Sequence, residues 1–277
     1  MTYCVGIEVN EGLVFAADTR TSASFDDVRV YRKMHVFEWP GDRVFVIMSA
    51  GNLATTQLTI SRLQRDADDP HAKHSLRTFS HLYEVAEYVG DTLVASQVKM
   101  SDEAQQSGVN VQSTLILGGQ IAGERPGLYM IYPLGNCIAT SPETPYLQIG
   151  ESKYGKPILD RIIRPETPLE DAARCALVSL DSTIRSNLSV GMPVDMALLR
   201  NGDLKISQKM RLEADTPLYS EIHDTWSRKL EAAVHSLPRF PWEPQRDPEQ
   251  ESPGPLPVMP PRRAPSRQDP GDAQGQQ

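Results

Sequence analysis

A chain of 277 residues, 39% of them apolar, carries enough hydrophobic side chain for one sizeable core or two modest ones. Its formal charge of −8 argues against nucleic acid as the main partner, and no run of 18 apolar residues offers a membrane span. The three cysteines, Cys4, Cys137 and Cys175, have no metal-type spacing and read as buried thiols of a cytoplasmic protein.

The chain opens "MTYCVGIEVNEGLVFAADTR". Two apolar alternations, Cys4 to Val9 and Leu13 to Ala17, flank Asn10-Glu11-Gly12 and predict a β-hairpin. Glu8 and Glu11 stand where a signal peptide would be apolar, so none is expected. Val44 to Ser49 predicts a buried strand ending at Ala50-Gly51, and residues 52–66 a helix. After a polar loop, Leu82, Val85, Ala86, Val89 and Leu93 form the stripe of a second helix. Strands are expected at 112–118, 128–133 and 136–149. A third helix is expected to open at Glu151-Ser152, and a fourth near Thr167-Pro168 with Pro at its first position. Strands at 194–199 and 204–210 precede a last amphipathic helix from Pro217 to Leu237. Helices in consecutive pairs against antiparallel hairpins predict an α+β layered sandwich, helices outside and sheets inside.

Composition changes near Leu237. Eleven of the 22 prolines fall from Pro238 onward, and such a segment cannot bury enough apolar surface to offset its chain entropy. The expected division is a folded domain over 1–236 and a disordered tail over 237–277. Within the tail, "PLPVMPPRR" has the form of a polyproline ligand, but the composition favours a solvated tail over that reading.

The run "GIEVNEGLVFAADTRTS…KMHVFEW…VIMSAG" resembles the start of proteasome-type β subunits, which are N-terminal-nucleophile hydrolases. The family's free N-terminal Thr, its Asp within "AAD-R", its Lys about one strand later and its Ala-Gly strand end match Thr2, Asp18, Lys33 and Gly51. Among the branches of the family, the short "MTYCVG" start and the "SNLSVG" segment are similar to the bacterial Anbu proteins. The resemblance implies a four-layer αββα sandwich with antiparallel sheets, spanning about residues 2–236. It also implies a threonine peptidase that works as a large homo-oligomer on peptide or protein substrates, with no metal or other cofactor; whether an ATP-dependent partner serves it stays open.

The implied chemistry is consistent with these residue types. Methionine before a small residue is readily removed, leaving Thr2 with a free α-amine whose ordinary pKa is about 7.7–8.0. That amine can act as base toward the hydroxyl of the same residue. The ammonium of Lys33 would hold the amine's pKa down, Asp18 would pair with Lys33, and the Gly51 N–H would stabilise an oxyanion. Thr21 and Ser49 are the expected lining of the substrate pocket. Taken singly, each has a plainer role: Asp18 as a turn cap, Lys33 as a solvated lysine, Gly51 as a turn glycine.

Two segments depart from the family pattern, which has a supporting Ser in a Gly-Ser-Gly-like turn and an Asp followed by a Ser near the nucleophile. Here "IGESKYG" puts Glu151 at the first Ser position, beside Ser152, and "SNLSVG" puts Asn187 at the Asp position with Ser189 out of register. Neutral Asn187 can orient a group but cannot balance a charge. These departures leave open a catalytically weak assembly or binding protein, and an amidase using the same nucleophile on small molecules. His71, His74 and His81 lack the carboxylate spacing of a zinc enzyme, and Cys4 reads as core.

Overall fold

The computed structural model describes residues 2–22, 28–104 and 109–243. In chain order its first half comprises strands β1 (Tyr3–Val9), β2 (Gly12–Asp18), β3 (Arg20–Ser22), β4 (Val28–Val30), β5 (Met34–Trp39) and β6 (Arg43–Gly51), then helices α1 (Leu53–Asp68) and α2 (Leu82–Ala104). There follow β7 (Ser113–Ile121), β8 (Gly127–Ile131), β9 (Cys137–Ala139), β10 (Tyr146–Gly150), α3 (Lys156–Ile162), α4 (Leu169–Ser186), β11 (Val194–Arg200), β12 (Gln208–Leu212) and α5 (Pro217–His235).

Two five-stranded sheets, β10-β1-β2-β11-β12 and β5-β6-β7-β8-β9, are antiparallel throughout, and β3 pairs with β4 as a separate ribbon. The predicted hairpin is β1–β2, running from Cys4↔Ala17 to Val9↔Gly12.

The layers follow from alternation along strands buried on both faces. On β1 and β2, Tyr3, Val5, Ile7, Val14 and Ala16 pack toward α3 and α4, while Cys4, Leu13, Phe15 and Ala17 face the other sheet. On β6 and β7, Val44, Val46, Met48 and Ile116 face the first sheet, while Phe45, Ile47, Leu115 and Leu117 pack toward α1 and α2. Three apolar layers thus separate four layers of backbone, the expected αββα sandwich. Truncating a side chain of the middle layer such as Phe15, fully buried, to Ala would cost about 3–5 kcal/mol.

Several boundaries differ from expectation for local reasons. Strands β3, β4 and β5 escape a pattern search because "RTS" and "VRV" are three residues long and β5 alternates weakly. The 136–149 run splits into β9 and β10, since Pro142 and Pro145 donate no ladder bond and a Ser141–Thr144 bridge closes a turn between the two strands. Helix α3 begins at Lys156, five residues later than expected, with Pro157 in its first turn. In α4, Pro168 is the cap rather than the first helical residue. The last strand is 208–212, not 204–210, and α5 ends at His235.

Contacts divide the chain into two units, Met1–Ala232 and Ala233–Gln277. In the first, Asp181 of α4 accepts from the Tyr219 hydroxyl and contacts His223 Nδ1, both at 2.7 Å. In the second, the Phe240 and Trp242 rings stack with centroids 4.6 Å apart. Most of the proline-rich tail, residues 244–277, lies outside the described residues.

Candidate active site

The start of the chain is held from three directions. Strand β1 is an inner strand of its sheet, between β10 and β2. Tyr3, fully buried, shares a 2.6 Å hydrogen bond with Ser179 of α4 and accepts another from the Gln148 amide. The Thr2 carbonyl accepts from the Glu151 N–H at 2.7 Å. Gly150, at φ +83°, lets β10 come this close: a Cβ there would lie 1.9 Å from the Thr2 oxygen.

Next to Thr2 lies an ion pair removed from water. Asp18 ends β2 and is fully buried, and Lys33, 4% exposed, just precedes β5. Lys33 Nζ donates to Asp18 Oδ1 at 2.7 Å and to the Arg20 carbonyl at 2.6 Å. Asp18 Oδ1 also accepts from the Tyr3 N–H at 2.9 Å, and Oδ2 from the Gly191 N–H at 3.3 Å. Burial pushes the Asp18 carboxyl above the ordinary range, while the Lys33 ammonium and the two peptide donors act against that rise. The Tyr3 N–H bond ties Asp18 to the peptide unit of Thr2.

The remaining predicted residues lie around this pair. Ser49 donates its N–H to the Lys33 carbonyl at 3.0 Å and accepts from the Cys4 thiol at 3.7 Å; it is buried. Two residues on, Gly51 ends β6 opposite Ser113 at φ +118°, where a Cβ would lie 2.5 Å from the Gln112 oxygen. Thr21 follows Arg20, the residue whose carbonyl caps Lys33, and pairs with Arg29 in the β3–β4 ribbon. Cys4 belongs to the middle apolar layer, and burial pushes its thiol above the ordinary range, as expected of a core cysteine. His74 stacks on Phe79 and His81 contacts Glu124, so each is engaged locally.

The two departures from the family pattern meet in space. Asn187 Nδ2 donates to Glu151 Oε2 at 2.9 Å, although the residues are 36 apart in sequence. Ser189 donates to Asn187 Oδ1 through its N–H at 3.0 Å and its hydroxyl at 2.6 Å. Lys153, with an exposed side chain, stands 3.5 Å from Glu151 Oε1. Read in sequence, Glu151 and Asn187 were separate anomalies. An acid replacing one polar residue and an amide replacing another is a donor–acceptor signal that could have joined them.

The fold is the proteasome-like αββα sandwich of N-terminal-nucleophile hydrolases, and a family model described as proteasome subunit matches residues 2–199. The chain belongs to the proteasome subunit family. Its similarity to curated relatives is modest: 26% identity to proteasome subunit beta 1 of Pyrobaculum calidifontis, over 73% of this chain and 92% of that one. Anbu structures are more similar. The Anbu (ancestral beta-subunit) of Yersinia bercovieri shares 43% identity at a TM-score of 0.81, covering 86% of this chain and 99% of that one. A helical assembly of the Anbu complex from Pseudomonas aeruginosa shares 44% at 0.82, covering 87% and 98%. The resemblance to the Anbu branch read from the sequence holds.

Proposed function

We propose that this chain is a threonine peptidase whose nucleophile is the hydroxyl of Thr2, exposed as the first residue once Met1 is removed. The observation that carries the reading is the buried Lys33–Asp18 pair, bonded through Asp18 to the N–H that follows Thr2. A buried carboxylate satisfied by an ammonium and two peptide donors is costly to assemble for stability alone, and such devices concentrate where chemistry needs a fixed field.

The Thr2 Oγ attacks the scissile carbonyl carbon and its proton passes to the α-amine. The Lys33 charge holds that amine's pKa down, so that a neutral base is present near neutrality. The tetrahedral oxyanion accepts from the Gly51 N–H. As the C–N bond breaks, the α-ammonium returns its proton to the leaving amine, and an ester to Thr2 remains. Water, deprotonated by the same amine, hydrolyses that ester. Thr21 and Ser49 flank the substrate.

The family relationship and the helical Anbu assembly from Pseudomonas aeruginosa support self-association into a large homo-oligomer, with peptide or protein as substrate. Among the described residues no helix is long and apolar enough to cross a membrane. An epoxyketone tests the reading, because it closes a ring on the hydroxyl and the α-amine of one residue. Intact mass is expected to show loss of Met1 and one adduct per chain. Retained Met1, or no adduct on a chain beginning at Thr2, would end the catalytic reading.

A further inference from the structure

The far end of β1 meets a cavity of about 430 Å³, within the size range of small-molecule sites. Its walls include Glu8 of β1, Tyr83 of α2, Arg125 of the β7–β8 turn, Tyr129 of β8 and Thr140. Glu8 lies six residues along β1 from Thr2, a strand length of about 20 Å. The cavity is therefore separate from the candidate active site.

Most charges around this cavity are already spent. Glu84 accepts from the N–H groups of Ser80 and His81 at 3.2 and 3.1 Å. Glu124 accepts from the Leu82 N–H at 3.1 Å and contacts His81 Nδ1, so the α2 N-terminus already has its anion. Two opposite charges are left over. Glu8 is half-buried, and its carboxylate accepts only from the neutral Thr140 hydroxyl and Leu128 N–H. Burial pushes that carboxyl above the ordinary range, and among the described residues it has no counter-charge. Arg125 is exposed and, among the described residues, has neither an ion pair nor a hydrogen bond. It stands three residues before Leu128, the residue whose N–H holds Glu8. The backbone positions serving the two charges are thus at most about 10–11 Å apart, the span of an extended tripeptide.

We propose that this cavity binds short zwitterionic peptides of two or three residues, Glu8 accepting from the N-terminal ammonium and Arg125 donating to the C-terminal carboxylate. The ammonium supplies the counter-charge that Glu8 lacks, and a guanidinium matches a carboxylate with two parallel donors. Tyr83 and Tyr129 add apolar wall together with hydroxyls for the peptide groups between the charges. Both ends of the ligand must be free, which excludes internal segments of a protein chain. The binding does not depend on turnover at Thr2.

Calorimetric titration of the full chain at low salt tests this with trialanine, acetyl-trialanine and trialanine amide. Trialanine is expected to bind at one site per chain, and blocking either end should weaken it at least about 10-fold. The variants assign each end. Glu8→Gln should weaken trialanine by a similar factor and leave acetyl-trialanine unchanged. Arg125→Ala should weaken trialanine and leave the amide unchanged, and as a surface substitution it should alter stability little. If Glu8→Gln fails to assemble, the Arg125→Ala pairing decides. Epoxyketone acylation at Thr2 should be the same in both variants and wild type, which separates this cavity from the active site. Equal binding of all three peptides, or trialanine binding unchanged by Arg125→Ala, overturns the proposal. So does a loss on amidation alone, which would point to the C-terminus of a protein partner instead. Absence of acylation in the wild type would end the peptidase reading and leave these titrations to stand by themselves.

Discussion

Two lysine–carboxylate pairs belong to residues that contact the peptide units at the start of β1, and burial sets them apart. In Lys33–Asp18 the side chains are 5% and 0% exposed and 2.7 Å apart; in Lys153–Glu151 they are 68% and 10% exposed and 3.5 Å apart. Desolvation makes the first pair obligatory, because neither charge can leave without stranding the other. The second has one anchored member and one that water can replace. A lysine near a carboxylate is therefore not one kind of feature. Its meaning depends on whether removal of the partner leaves a buried charge, which only the fold decides.

The strongest way to break this comparison is Lys33→Ala. Epoxyketone acylation should fall at least about 100-fold, corresponding to about 2.7–4 kcal/mol or more of barrier for a preorganised electrostatic group. The same change leaves Asp18 buried without its ammonium, with an expected stability loss of about 3–5 kcal/mol by chemical denaturation. That loss has a predictable pH sign. Burial already holds the Asp18 carboxyl above its unfolded range, and removal of Lys33 deletes the largest opposing influence. The folded variant then binds a proton that the unfolded chain has released. Its deficit should be smallest in acid and grow as pH rises through the folded-state value of Asp18. A deficit that grows toward acid would contradict the buried-pair description.

Gly150→Ala probes the contact that brings Glu151 to Thr2. A methyl group would fall 1.9 Å from the Thr2 oxygen at a left-handed backbone position, so β10 must withdraw. The expected loss is about 1–3 kcal/mol of stability, together with slower acylation, read by the denaturation midpoint and the adduct rate. Lys153→Ala should have the smallest effect, within about 1 kcal/mol in stability, with acylation retained. A loss from Lys153→Ala as large as that from Lys33→Ala would erase the distinction between the pairs.

Much of this was legible before any coordinates. The β1–β2 hairpin, the buried β6 and the stripe of α2 are long, strongly patterned segments, and the four family-matched residues come in order along the chain. Asp18 and Lys33, 15 positions apart, do meet. Illegible were the short polar strands β3 and β4, whose stability comes from pairing with each other rather than from an apolar face. The prolines that divide 136–149 are visible in the sequence, but apolar pattern alone does not show that a turn closed by Ser141 and Thr144 separates two strands there. The bond between Glu151 and Asn187 could not be read from spacing, since it depends on how the end of β10 and the end of α4 converge. Along the sequence the two departures are separate features. In space they form one unit.

The alternation of β1 also acts as a parity code. Odd residues Tyr3, Val5 and Ile7 belong to the helix-side layer and Cys4 to the layer between the sheets. Because the ladder extends to the Thr2 carbonyl, the first two positions inherit that code. One residue inserted between Thr2 and Tyr3 would send the leading side chain to the wrong side of the sheet, although its composition would be unchanged. Two inserted residues would restore the side but carry the hydroxyl about 6.8 Å beyond the reach of Asp18 and Lys33. The cut before Thr2 that the proposed mechanism requires is thus specified to a single residue by a geometry the remaining strand already enforces.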